Sequence, residues 1–138
     1  MSKKLNEVVI ISAARTPIGS YKGSLKDIKA DQLGSIVIKE VINRSKISKE
    51  DIDEVIIGQV LTAGMGQNPA RQAAINSGLS KSIPAHLVNQ VCGSGLRSVI
   101  SGYQTLMLDE GKYIICGGQE NMSLAPHSLF YRDEKILS

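Results

Sequence analysis

Four short apolar runs rich in β-branched residues recur along the chain: VVIISA at 8–13, VIIGQV at 55–60, AHLVNQV at 85–91 and YIICGG at 113–118. Both alternating sets of positions in these runs are mainly apolar. A strand of that kind is buried on both faces, as in parallel sheets, whose crossovers lay helices above and below. Helical segments fill the intervals. Leu33, Ile36, Val37 and Val41 fall on one helical face behind Asp31, which is placed to cap. SKED at 48–51 has capping-box spacing and predicts a short helical turn. Asn68 as cap, Pro69 in the first turn and Gly78 just past the end bracket a second helix. Leu96, Val99, Ile100, Tyr103 and Met107 keep helical spacing in a third, which Gly111 closes.

The pattern predicts an α/β fold: a mostly parallel sheet with helices on both faces. It occupies 1–119, and the aperiodic stretch 120–138 reads as the start of a loop region. Strand order does not follow from the pattern.

The 138 residues suffice for one domain with a core. Net charge is +3, and the sixteen Lys and Arg are scattered, so no basic stripe points to nucleic acid. No run approaches the ~18 apolar residues of a membrane span. The N-terminus has neither a secretory h-region nor transit-peptide character, so a cytoplasmic location is expected. Two cysteines, Cys92 and Cys116, and two histidines, His86 and His127, make neither a disulfide framework nor a metal cluster.

Chemistry concentrates at NQVCGSG, residues 89–95. Cys92 falls between the third strand and the third helix. Free N–H groups and partial positive charge at a helix start favour thiolate, the nucleophilic form. The same N–H groups can hold an oxyanion developing on an attacked carbonyl. Gly93, Ser94 and Gly95 let a substrate approach the backbone, and Ser98 and Gly102 extend a small-residue face along the helix. Two plainer readings stand beside this one: a buried structural cysteine, or a Gly-rich turn that cradles phosphate. Cys116 lies within an apolar strand and reads as structural. His86 is six residues before Cys92 on the same strand, ~20 Å away at strand rise, and so is no base for it. His127 lies in the irregular stretch.

RTPIG at 15–19, GQNPARQAA at 66–74, NQVCGSGL at 89–96 and GGQENMSLAPH at 117–127 together resemble the N-terminal part of thiolases, nearest to the biosynthetic, acetoacetyl-CoA-forming type. The resemblance implies that the sheet is part of the first half of a thiolase-like fold. It implies that Cys92 takes an acetyl group from acetyl-CoA as a thioester. A second acetyl-CoA, deprotonated at its α-carbon, then attacks, giving acetoacetyl-CoA and CoA reversibly. It implies no metal and no prosthetic group, with coenzyme A entering as part of the substrate. It implies oligomers, formed by this chain with itself or with a C-terminal thiolase chain.

The family's later Gly-His-Pro and Cys-x-Gly segments, which supply the activating histidine and the acid/base cysteine, do not occur here. The expectation is therefore a chain that carries the nucleophile and is inactive alone. The alternatives are a non-catalytic truncated remnant, one piece of a split enzyme, or a fragment of a longer-chain 3-ketoacyl-CoA thiolase.

Overall fold

The computed structural model describes residues 7–128. Three strands form a parallel sheet: β1 (Glu54–Gly58), β2 (Ala85–Val88) and β3 (Ile114–Gly118), in the order β2-β1-β3. Val55 stands opposite Ala85 on one side and Ile115 on the other. Three helices, α1 (Ala30–Ser45), α2 (Pro69–Asn76) and α3 (Ser94–Met107), alternate with the strands. No helix among the described residues is long and apolar enough to cross a membrane.

The expected α/β architecture is present, with helices on both faces. Val55, Ile57 and Ile115 point to one face and pack with Ile38 and Ile42 of α1 and Ala70, Ala73 and Ala74 of α2. Ile56 and Cys116 share the other face, and Cys116 lies against Gly102 of α3. The alanines of α2 let it lie close to both α1 and the sheet. Asn68 and Pro69 start α2 as the sequence indicates, with the Asn68 side chain accepting from the Arg71 N–H at 3.1 Å. Gly78 takes φ 87° just past its end.

Several expectations are corrected. The run at 8–13 is not a strand. It makes no ladder to the sheet, and Ile10 is 82% exposed. Its β-branched residues do not pair because an apolar cleft separates it from the free edge of β3. In α1 the buried stripe is Ala30, Gly34, Ser35, Ile38 and Ile42, while Ile36 points outward. The stripe is rotated because small residues, not the largest ones, meet the sheet end and α2. Asp31 lies inside α1 rather than at its cap, and Asn76 of α2 donates to its carboxylate at 3.3 Å. The cap position is Lys29, whose N–H the Gln32 side chain accepts at 3.1 Å.

Residues 48–51 do make a short helical turn, at Lys49–Asp51, but without the box: the Ser48 hydroxyl pairs with Glu50 instead. That hydrogen bond is the main cause that holds the Glu50 carboxyl below its usual range. In α3 the stripe with the clearest helical spacing is not the buried one: Leu96 is 68% exposed, and Val99, Ile100 and Tyr103 border the apolar cleft beside β3. Ser94, Ser98 and Gly102 are the buried positions. The left-handed residue after α3 is Asp109, φ 63°, and not Gly111. Of the expected loop region 120–138, residues 129–138 lie outside the described residues, and the described part contains one short turn, Met122–Leu124.

Candidate active site

All three strands end at one edge of the sheet, and the chain segments that leave them there form the site. In a parallel sheet the carboxyl ends of the strands are where ligands bind. Asn89 to Cys92 follow β2, Gln59 and Val60 follow β1, and Gln119 and Glu120 follow β3.

The turn from β2 into α3 is sharp. Val91 adopts φ 51°, a left-handed conformation that a β-branched residue rarely takes and that costs on the order of 1–3 kcal/mol. Its neighbours hold it there. The Ser94 hydroxyl accepts from the Gln90 N–H at 2.8 Å and donates to the Val91 carbonyl at 2.6 Å. The Asn89 side chain accepts from the Val91 N–H at 3.1 Å. Cys92, the next residue, is exposed, one position before the helix cap Gly93. The N–H groups of Gly93 and Ser94 are used within the turn, at 3.1 Å each to Gln90 and Val91 carbonyls. Among the described residues, those of Cys92, Gly95 and Leu96 find no acceptor. An exposed thiol thus stands beside unpaired donors at the end of a 14-residue helix. That arrangement can present sulfur to a carbonyl carbon and N–H groups to its oxygen.

The small residues explain how α3 reaches this position. A side chain on Gly58, the last residue of β1, would meet the Ser94 backbone at 2.3 Å. Gly118 and Gly95 meet less tightly: a side-chain carbon on Gly118 would lie 3.3 Å from the Gly95 Cα. The Ser98 hydroxyl lies 2.7 Å from both the Gly95 and Gly117 carbonyls and tethers the helix to β3.

A buried polar layer underlies the site. Gln59, 2% exposed, accepts from the Gln119 side chain at 2.8 Å and donates to the Leu61 carbonyl at 2.9 Å. One carboxylate oxygen of Glu120 accepts from the Val60 and Leu61 N–H groups at 2.8 and 3.2 Å. Its other oxygen is buried without a partner. The sequence reading did not assign Asn89, Gln59, Gln119 or Glu120 a role. The available signal was a glutamine directly after the closing glycine of each of two apolar strands, Gln59 after Gly58 and Gln119, followed by Glu120, after Gly118.

His86 sits on β2, 3.0 Å from the Glu54 carboxylate, near the opposite end of the sheet from Cys92. His127 is exposed in the segment whose Pro126 rests on Gly64. The structure brings neither histidine into contact with Cys92. Cys116 is half-buried under α3, and burial pushes its thiol up to about 11.

Residues 8–135 match the family model for the thiolase N-terminal domain. The chain belongs to the thiolase family. It is 52% identical over 125 residues to an acetyl-CoA acetyltransferase of Cupriavidus necator, covering 91% of this chain and 32% of the relative. It is 50% identical over 126 residues to one of Paracoccus denitrificans, again 91% and 32%. A cytosolic acetyl-CoA acetyltransferase of Rattus norvegicus is 48% identical over 127 residues, 92% of this chain and 32% of the relative. This thiolase chain therefore spans about a third of the length of the curated relatives it matches. Its fold is the one the four motifs led us to expect.

Proposed function

We propose that this thiolase chain supplies the acyl-accepting nucleophile of an acetyl-CoA acetyltransferase, and that Cys92 is that nucleophile. The observation that carries the reading is the turn itself: an exposed thiol on a strained strand-to-helix corner, with free N–H groups beside it. The Cys92 sulfur attacks the thioester carbonyl of acetyl-CoA. The N–H groups at the start of α3 hold the oxyanion, CoA thiolate leaves, and an acetyl-cysteine forms. The names of the relatives support acetyl-CoA as the acyl donor. Condensation to acetoacetyl-CoA then needs a base to take the α-proton of a second acetyl-CoA. Family resemblance assigns that acid/base work to a second cysteine, and activation of the nucleophile to a histidine, in segments this sequence does not contain. Coenzyme A enters as part of the substrate, and no metal or prosthetic group takes part. The working unit is an assembly of this chain with a polypeptide carrying those segments, in the cytoplasm.

The test mixes the 138-residue chain with the C-terminal two-thirds of the Cupriavidus necator relative and measures acetoacetyl-CoA thiolysis. Turnover is expected in the mixture and not from either piece alone. Cys92→Ala should abolish it. Equal turnover with Cys92→Ala, or steady turnover by this chain alone, would sink the proposal. A positioned acid or base contributes roughly 10²–10⁴-fold in rate, so a chain lacking both falls below detection.

A further inference from the structure

The central strand β1 leaves the sheet between its two neighbours, and a side chain from each side holds the chain there. From the β3 side, one Glu120 carboxylate oxygen accepts from the Val60 and Leu61 N–H groups at 2.8 and 3.2 Å. From the β2 side, the Asn89 amide donates to the Val60 carbonyl at 3.4 Å. Among the described residues that carbonyl receives no other donor. The oxygen of the same Asn89 side chain accepts from the Val91 N–H at 3.1 Å, and that N–H has no other described acceptor. Asn89 is exposed and adds little to the core. What it does is join the exit of β1 to the corner that carries Cys92.

The strain at Val91 gives this link its weight. Its φ of 51° persists only if the peptide planes on both sides of its Cα are fixed. The plane after it carries the Val91 carbonyl and the Cys92 N–H. The Ser94 hydroxyl and N–H hold that plane, at 2.6 and 3.1 Å to the carbonyl. The plane before it carries the Gln90 carbonyl, which accepts from the Gly93 N–H at 3.1 Å, and the Val91 N–H, which Asn89 holds. Of these side chains Asn89 alone also bonds outside the corner, to Val60. A turn about the Val91 backbone swings the Cys92 N–H, and a misplacement of about 1 Å at a reacting centre costs on the order of 10²-fold in rate. We infer that Glu120 and Asn89 are positioning residues for acyl transfer. Glu120 sets the Val60 peptide, the Val60 carbonyl sets the Asn89 amide, and Asn89 sets Val91, which aims the Cys92 N–H at the oxygen of the attacked thioester. Both act through Val91 and take no step in the chemistry. The inference rests on Cys92 being the nucleophile.

The test has two readouts. The first is amide exchange at Val91 in the full 138-residue chain. Asn89→Ala should speed it at least tenfold, and Glu120→Ala, acting through Val60, at least threefold. The double variant should match Asn89→Ala, because the link is already cut. The second readout is acyl transfer in the mixture with the C-terminal two-thirds of the Cupriavidus necator relative. There the Cys92 thiolate attacks the acetyl-CoA carbonyl, acetyl-cysteine forms and CoA thiolate leaves. With iodoacetamide the same thiolate displaces iodide from a saturated carbon, and no oxyanion develops. Each alanine variant should slow single-turnover acetylation tenfold or more and leave Cys92 alkylation within twofold. Glu120→Gln keeps an acceptor oxygen and should restore most of both readouts. The relay is overturned if Glu120→Ala leaves Val91 exchange unmoved, if the two effects multiply in the double variant, or if acetylation and alkylation fall together. Fast labelling of Cys116 would mark a Glu120→Ala chain that has loosened. Asn89→Ala then decides, and acetylation at the wild-type rate in that variant overturns the relay. No acetylation in the wild-type mixture would sink the nucleophile reading instead, and the relay would stand or fall on Val91 exchange.

Discussion

Gly102 of α3 lies directly over the sulfur of Cys116 in β3: a side-chain carbon on Gly102 would stand 2.3 Å from Sγ and 3.2 Å from an Ile114 methyl. The helix and the strand are as close as they are because both contacting residues are small. Gly102→Ala should therefore destabilise the chain, by about 1–3 kcal/mol for an overpacked contact. Adding Cys116→Ala should return part of the loss, since the nearest obstructing atom is gone. Urea midpoints for the two single variants and the double variant test the coupling. Additive losses would mean that the helix shifts rather than pressing on the sulfur.

Cys116 also gives a pH dependence. Its thiol is raised by burial from an ordinary value of 9.0 to about 11. Between those values the unfolded chain has lost the Cys116 proton and the folded chain has kept it. The contribution to stability is complete below pH 9 and is lost as pH rises through the window to 11. The fall in thermal midpoint between pH 9 and 11 should be shallower in Cys116→Ala. Alkylation should likewise find Cys92 well before Cys116 at neutral pH, because Cys92 is exposed and Cys116 is half-buried. Peptide mapping after brief iodoacetamide treatment reads the order. Equal labelling would contradict the burial of Cys116.

The Glu120 carboxylate spans two backbone donors that no other described group accepts, Val60 N–H and Leu61 N–H. Glu120→Ala should cost about 1–3 kcal/mol, because partly buried N–H groups are left unpaired. The amides of Val60 and Leu61 should exchange faster, while those of α2 stay unchanged. Glu120→Gln keeps an acceptor oxygen and should retain most of the protection. If the alanine variant leaves both amides slow, the carboxylate is not what holds that loop.

Asn68 combines a cap with φ 44°, a conformation that asparagine and glycine tolerate. Asn68→Ala loses the bond from Arg71 N–H, the bond to the Ala85 carbonyl and the backbone preference together. Asn68→Gly loses only the bonds. Alanine should cost more than glycine, by about 1 kcal/mol or more. A reversed order in thermal unfolding would refute the backbone argument.

The sequence made the strands and α2 legible because their signals are local. A β-branched run, a capping Asn and a Gly past the helix end act over a few residues. It misplaced the faces of α1 and α3 because apolar spacing shows that a helix has a greasy side and not what that side meets. In α3 the sheet is met by Ser94, Ser98 and Gly102, while Leu96 is exposed and Val99, Ile100 and Tyr103 border the cleft beside β3. The run at 8–13 carries a strand's composition without a strand's ladder, since pairing depends on a neighbour and not on the run itself. Cys92 was visible as a residue between two elements. The polar layer of Gln59, Gln119 and Glu120 was not, because it joins residues about sixty positions apart.

The bend at Val91 exists only while something holds it. Ser94 grips it on both sides, and Ser94 can do so only when α3 has settled onto Gly58. An unfolded or half-assembled chain has no reason to keep Val91 left-handed, and its Cys92 then sits on a flexible tether. The thiol whose accessibility reads whether the helix has docked is Cys116, half-buried under α3, since Cys92 is exposed in the folded chain as well. A thiol probe applied to crude extract would label Cys92 on every copy and Cys116 chiefly on copies whose helix is loose, so the ratio of the two reports how much of the protein has reached its mature shape.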